Sequence, residues 1–345
     1  MEIKQRAFGS GTTLYSIKND RDVTLEVCNH GARIVNLFVP VGEEIRNISM
    51  GFDTIEGYLA GETYWGATIG RVAGRISNGK FVIDGKEYHT PIDEVTGHAL
   101  HAGNFDKKVF DTTTQLNDTE GSVLFTTSVP DGEDGFPGNL HVEVEYALNN
   151  DNEWSVTYRA QTDKPTLFNP TNHVYFNLHG KPSQTIEEHT LQISADYYAP
   201  LKADNTPIGT KESVADTPFD FHTPKVLKDA LHAQHLQIDG VKGLDHPFFL
   251  EKSNPLLPSV CLISPNGDLK VEMSTTEPSV VIFTANFNED GPIMRGEKFI
   301  HHGAITLETQ VAPGAEQFDS FGSIELRADQ PYYSKTIYKL IVGEK

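Results

Sequence analysis

Apolar residues recur with a period of two along almost the whole chain, and that period restricts it to β-structure. Leu140, Val142, Val144, Tyr146 and Leu148 alternate with His141, Glu143 and Glu145. Trp154, Val156 and Tyr158 alternate in the same way with Ser155, Thr157 and Arg159. Successive strand side chains point to opposite faces, so each run has one apolar and one polar face. The turn cluster Asn149-Asn150-Asp151-Asn152 joins the two runs into a hairpin, and Asp84-Gly85 and Asn266-Gly267 predict two more. Further strands are expected over 13–17, 23–27, 33–39, 123–127, 189–193, 280–284 and 305–310. Helical patterning is confined to 54–59 and to 225–230, the latter opened by Thr223-Pro224. A βαβ architecture lacks its crossover helices, and many short strands point instead to a sandwich or barrel. The Gly- and Pro-rich segment 129–138 reads as a loop between strands of one sheet, so residues 1–345 are expected to form a single domain.

The formal net charge of -20 repels nucleic acid and anionic membranes and disfavours a phosphorylated substrate. Cys28 and Cys261 lie far apart in apolar runs, which fits buried free thiols and a reducing compartment. The N-terminal residues Met1 to Arg6 lack the apolar stretch of a signal peptide, and no segment approaches the ~20 apolar residues of a membrane span. A cytoplasmic protein is expected.

Chemistry concentrates in a few stretches. In Phe168-Asn169-Pro170-Thr171-Asn172-His173-Val174-Tyr175-Phe176-Asn177-Leu178, alternation puts His173, Tyr175 and Asn177 on one face and Val174, Phe176 and Leu178 on the other. Arg71 and Arg75, punctuated by Gly70 and Gly74, can present forked donors to hydroxyls or carboxylates. Gly97-His98-Ala99-Leu100-His101-Ala102-Gly103 reads better as a pocket loop with one active His than as a zinc site, since no HExxH pattern or neighbouring cysteine supports a metal. Asp245 and His246 edge an aromatic run, as turn caps or as acceptors for substrate hydroxyls. In His301-His302-Gly303-Ala304-Ile305-Thr306-Leu307-Glu308-Thr309-Gln310, Glu308 shares a face with Thr306 and Gln310, and burial there would raise its pKa and make it a better base. No dinucleotide fingerprint, P-loop or nucleophile elbow occurs. Glu308 and Asp245 leave a glycosidase pair open.

Taken together, these stretches resemble the aldose 1-epimerase (galactose mutarotase) family. The resemblance rests on Gly31-Ala32-Arg33-Ile34-Val35, Gly51-Phe52-Asp53, Gly66-Ala67-Thr68-Ile69-Gly70-Arg71, Phe136-Pro137-Gly138, Asn169 to Leu178, Gly243-Leu244-Asp245-His246-Pro247-Phe248 and Leu307-Glu308-Thr309-Gln310, in that order. It implies a large antiparallel β-sandwich with an open cleft, no metal and no cofactor, and a free aldohexose as substrate. By the same resemblance His173 matches the catalytic acid, Glu308 the base and His101 a second pocket His near the ring oxygen. Arg75 and Asp245 match residues that hold sugar hydroxyls, and Tyr175, Phe283 and Gln310 match the pocket lining. The implied chemistry requires Glu308 ionised and His173 protonated near neutral pH. Gly74, where many relatives carry Asn, the pair Ala102-Gly103 and Trp65 depart from the pattern and bear on sugar preference. A silent sugar-binding protein and a hexose-6-phosphate epimerase are the competing readings on this fold. The oligomeric state, monomer or homodimer, is left open.

Overall fold

The computed structural model describes residues 1–61, 64–251, 258–287 and 291–343. Every ladder between its named strands is antiparallel. The alternating runs identified above become Leu140–Asn149 and Glu153–Thr162 at the middle of a nine-stranded sheet. Their inward residues Val142, Val144, Tyr146, Trp154 and Val156 are buried. A five-stranded meander built from 2–47 and a six-stranded sheet complete the large layers.

The six-stranded sheet runs in the order Tyr175–Phe176, Ile305–Gln310, Ser279–Phe283, Asp245–Phe249, Tyr197–Tyr198, Glu212–Ser213. One of its faces, with Phe176, Leu307, Val280, Ile282 and Phe248, joins the main apolar core against the nine-stranded sheet. The layers also touch through polar atoms: the Tyr338 hydroxyl donates to the Leu307 carbonyl at 3.2 Å, and the Thr309 and Thr336 hydroxyls lie 2.7 Å apart. A β-sandwich results, and its other face on the six-stranded sheet is left to line a cleft.

Asp84-Gly85 forms the two-residue turn between Lys80–Ile83 and Lys86–His89, with both φ values positive as such a turn requires. Helix is limited among the described residues to Ile55–Leu59, Leu227–Leu231 and Leu236–Val241, apart from 3-10 turns. The second starts two residues later than the proline signal suggests, because Lys225 and Val226 pair with Leu191 and Thr190. The third was not expected; one and a half turns carry too little periodicity to register. Cys28 and Cys261 are buried free thiols, as expected. No described helix is long and apolar enough to cross a membrane.

Candidate active site

The cleft floor follows from strand register. Pro247 pairs with Val281, and Val281 with Glu308, while Asp245 pairs with Phe283 and Phe283 with Thr306, which in turn pairs with Tyr175. Two parallel rows of side chains therefore cross the sheet and point the same way. His173 enters from the segment before Tyr175, and Arg75 and His101 from the paired strands Val72–Ile76 and Ala99–Ala102. All eight residues singled out above, His101, His173, Glu308, Arg75, Asp245, Tyr175, Phe283 and Gln310, line one cleft. Tyr64, Leu201, Asn205, Pro207 and Pro313 also line it and were not anticipated. They come from loops, where no period marks a facing; the turn composition of Asp204-Asn205 and the aromatic pair Tyr64-Trp65 are the signals that could have found them.

His173 and Glu308 meet on the floor, with Nε2 of one 3.4 Å from Oε1 of the other and both side chains about 5% exposed or less. Their spacing is held by straps to a single strand. The Thr171 hydroxyl donates to the Thr309 carbonyl at 2.9 Å, and the Asn169 amide both donates to the Val311 carbonyl (2.9 Å) and accepts from its N–H (3.0 Å). Asn172 fastens the same segment from the other side, donating to the Gly66 carbonyl and the Tyr146 hydroxyl. The Asn-Pro-Thr-Asn stretch thus serves as a brace for His173. Asn177, placed by alternation beside His173, instead donates to the carbonyls of Lys181, Gln184 and Gly303 and takes no part in the cleft.

Glu308 accepts from the Thr306 hydroxyl at 2.9 Å and faces the Gln310 amide at 3.5 Å, the same-face neighbours expected from alternation. Burial pushes its carboxyl up to about 7, against those hydrogen bonds and the Arg75 charge. Asp245 is pushed up to about 6 by burial and held back by Arg75, whose guanidinium lies 3.5 Å away. Burial lowers His173 to about 4. The expectation that Glu308 is ionised and His173 protonated thus meets opposition from burial on both sides. Burial thus favours the neutral form of the pair, with the proton on Glu308. The ion pair holds the same single proton and differs from the neutral form only in which of the two groups carries it.

His101 sits in a bulge. Leu100 pairs with Arg75 and Ala102 with Val72, so Ala73 and Gly74 lie opposite His101, which takes a left-handed φ of 53°. Its Nδ1 accepts the Gly74 N–H at 3.1 Å, which puts the proton of the neutral ring on Nε2. Burial, reinforced by the charges of His173 and Arg75, lowers its pKa well below the ordinary value. His101, His173 and Glu308 bring three potential metal-donor atoms within 4.8 Å of one another. The tautomer argues against a metal there: a protonated Nε2 has no lone pair to give, but it is a hydrogen-bond donor for an oxygen.

Other stretches resolve differently. Arg71 is buried outside the cleft and donates to the carbonyls of Pro137 (3.0 Å) and Gly138 (3.1 Å) and to the Thr166 hydroxyl (3.1 Å). With its guanidinium over the Phe136 ring, it explains Phe136-Pro137-Gly138 as a structural clamp. His98 leaves the cleft to His101. Trp65 does not reach the cleft; it packs behind Tyr175, ring centroids 4.1 Å apart. At Gly74, φ is +78° and a Cβ would lie 2.4 Å from Pro313, so a side chain there has no room. His246 is spent on the Asp245 N–H and the Gln237 amide, and His301 and His302 contact the Phe287 and Lys242 carbonyls.

The aldose 1-epimerase family model matches residues 13–339. The chain belongs to the aldose 1-epimerase family.

It is similar to the aldose 1-epimerase of Haemophilus influenzae, 32% identical over 96% of each chain. It is likewise similar to the galactose mutarotase of Rattus norvegicus, 36% identical over 97% of this chain and 96% of that one. Among solved structures, the galactose 1-epimerase of Lactobacillus acidophilus superposes with a TM-score of 0.88 over 99% of each chain, at 28% identity. Membership makes the protein an isomerase, and the aldose 1-epimerase fold agrees with the sandwich and open cleft described above.

Proposed function

We propose that this chain interconverts the α and β anomers of free aldohexoses such as galactose and glucose, by opening and reclosing the ring without metal or cofactor. One observation carries the reading: a carboxyl and an imidazole sit 3.4 Å apart on the floor of a cleft, with a fixed N–H donor beside them. A hemiacetal opens when a proton leaves the anomeric hydroxyl and another reaches the ring oxygen. Glu308 takes the first, His173 supplies the second and His101 Nε2–H stabilises the ring oxygen as charge develops. The C1–O5 bond breaks, and rotation about C1–C2 turns the other face of the aldehyde. Closure then returns both protons.

Arg75 and Asp245 hold ring hydroxyls, Tyr175 and Phe283 supply apolar walls, and the Gln310 amide offers a buried Oε1 that has no partner within the protein. Arg75 is the one permanent cation among the described lining residues, and it already faces Asp245. That, with the net charge of -20, speaks against a phosphorylated sugar and against nucleic-acid or membrane partners. We read residues 1–345 as one cytoplasmic domain.

Polarimetry of freshly dissolved α-D-galactose and α-D-glucose tests the reading. Wild type should hasten the approach to equilibrium rotation and His173→Ala should not. A folded wild type that accelerates neither sugar refutes it.

A further inference from the structure

The cleft has an outer rim as well as a floor, and the rim carries one polar side chain whose purpose the reaction chemistry does not explain. Asn205 lines the cleft among Leu100, Leu201, Pro207 and Pro313, all apolar. It is half-buried, stands in a left-handed conformation with φ 62°, and among the described residues its amide has no hydrogen-bond partner. A polar group in that position is kept in place at a cost, since the left-handed region is strained for a non-glycine residue, although Asn tolerates it better than most.

The turn that carries Asn205 is clamped from two sides. On one, Gln237 holds both polar groups of the Leu201 backbone, accepting its N–H at 2.7 Å and donating to its carbonyl at 2.9 Å. On the other, Asp204 accepts from the Thr206 N–H and hydroxyl through Oδ1 and faces His98 Nε2 through Oδ2 at 3.2 Å. The His98 ring is itself oriented: its Nδ1 accepts the Asn78 N–H at 3.0 Å, which leaves the proton on Nε2, pointing at Asp204. His98 and His101 therefore use the same device. Both anchor Nδ1 on the backbone of the neighbouring segment 74–78 and present Nε2–H outward, one to the reaction centre and one to the rim.

The orientation of the sugar follows from the floor. The reaction takes place at C1 and the ring oxygen, so that edge faces Glu308 and His173, which are buried. In a pyranose ring the bond opposite C1–O5 is C3–C4, and this edge is the one left facing the rim. We propose that the Asn205 amide hydrogen-bonds a hydroxyl on the C3–C4 edge of the sugar and sets preference among aldoses there, and that His98, through Asp204, is its positioning residue. The proposal rests on the anomerase reading above and gives a task to His98, the other His of Gly97-His98-Ala99-Leu100-His101.

The test measures kcat and KM for D-glucose, D-galactose, 3-deoxy-D-glucose and 4-deoxy-D-glucose with wild type, Asn205→Ala, His98→Ala and His98→Gln. One neutral hydrogen bond lost corresponds to roughly a five- to tenfold rise in KM. Asn205→Ala should raise KM for glucose by that factor with kcat within about twofold. The same substitution should cost nothing on whichever deoxy sugar lacks the partner hydroxyl. His98→Ala should match Asn205→Ala, the double variant should be no worse than either, and His98→Gln, which keeps a donor near Nε2, should recover most of the loss. A cost that persists undiminished on both deoxy sugars, or a KM unmoved by Asn205→Ala, overturns the assignment of Asn205. Additive His98 and Asn205 effects, or a fall in kcat alone, overturn the positioning role. Should His98→Ala not fold, Asp204→Ala breaks the same link and is read in the same way. A wild type that accelerates no aldose refutes the anomerase reading itself and takes this proposal with it, whereas an active wild type with an indifferent Asn205→Ala refutes this proposal alone.

Discussion

Glu308→Gln separates the chemistry of the site from its stability in one variant. Burial carries the Glu308 carboxyl from its ordinary 4.5 to about 7. A group whose folded pKa is raised contributes stability that is fully present below its unfolded pKa and is lost as pH rises through the folded value. At pH 5 the folded protein keeps the proton, and the wild-type carboxyl costs little. At pH 8 it is ionised in both states, and the folded state bears nearly the whole difference. Between pH 5 and pH 8 the wild type should therefore lose roughly 2–3 kcal/mol relative to Glu308→Gln, whose amide does not titrate. The amide also keeps an oxygen for the Thr306 hydroxyl, so little else changes. Urea unfolding at pH 5, 6.5 and 8, extrapolated to water, reads the gap directly. Stability curves for the two proteins that run parallel over that range would show that Glu308 is not held neutral by burial, and the one-proton account of the pair would fail with it.

Four further outcomes follow from the same geometry. Glu308→Gln should lower kcat by about 10²–10⁴-fold in the polarimetric assay, since it removes a positioned base. The pH profile of wild-type kcat/KM should be bell-shaped, with an acid limb near 4 where His173 gains a second proton for the pair and an alkaline limb near 7 where Glu308 loses the only one; a flat profile from pH 5 to 9 contradicts this. Arg71→Met should destabilise the fold by about 3 kcal/mol or more, seen as a lower urea midpoint, because it strands the Pro137 and Gly138 carbonyls, whereas Arg75→Met should act mainly on KM. Micromolar Zn²⁺ should leave the activity unaffected, as His101 Nε2 carries a proton; strong inhibition relieved by chelation would contradict the assigned tautomer.

Period-two patterning made the sheets legible, because a strand with one buried face writes that face directly into its sequence. Glu308, Thr306 and Gln310 were placed together on this ground, and the structure joins them by hydrogen bonds. What the period cannot show is which of two similar residues faces a cleft. Arg71 and Arg75 look alike in sequence, yet one is consumed by backbone carbonyls and the other reaches the cleft; the Pro137 and Gly138 carbonyls that hold Arg71 lie more than sixty residues away. His98 and His101 pose the same problem, and the bulge at His101 decides it. Asn177 shows the opposite failure: the alternation that served His173 and Tyr175 breaks down where the strand ends at Phe176 and the chain turns away. The rim, contributed by Tyr64, Leu201, Asn205 and Pro313, was illegible because loops take their facing from tertiary contacts alone.

The straps on the His173 segment have a mechanical consequence. Thr171 and Asn169 fasten it to Thr309 and Val311, at and just beyond the end of the strand that bears Glu308, so the proposed acid and base ride on one rigid body. The rim belongs to other bodies, tied down by Gln237 and His98. A displacement of the rim therefore leaves the 3.4 Å spacing of His173 and Glu308 unchanged. The enzyme need not rebuild its reaction centre at each turnover, and its tolerance for sugars of different outline is set by parts that never touch the reacting bond.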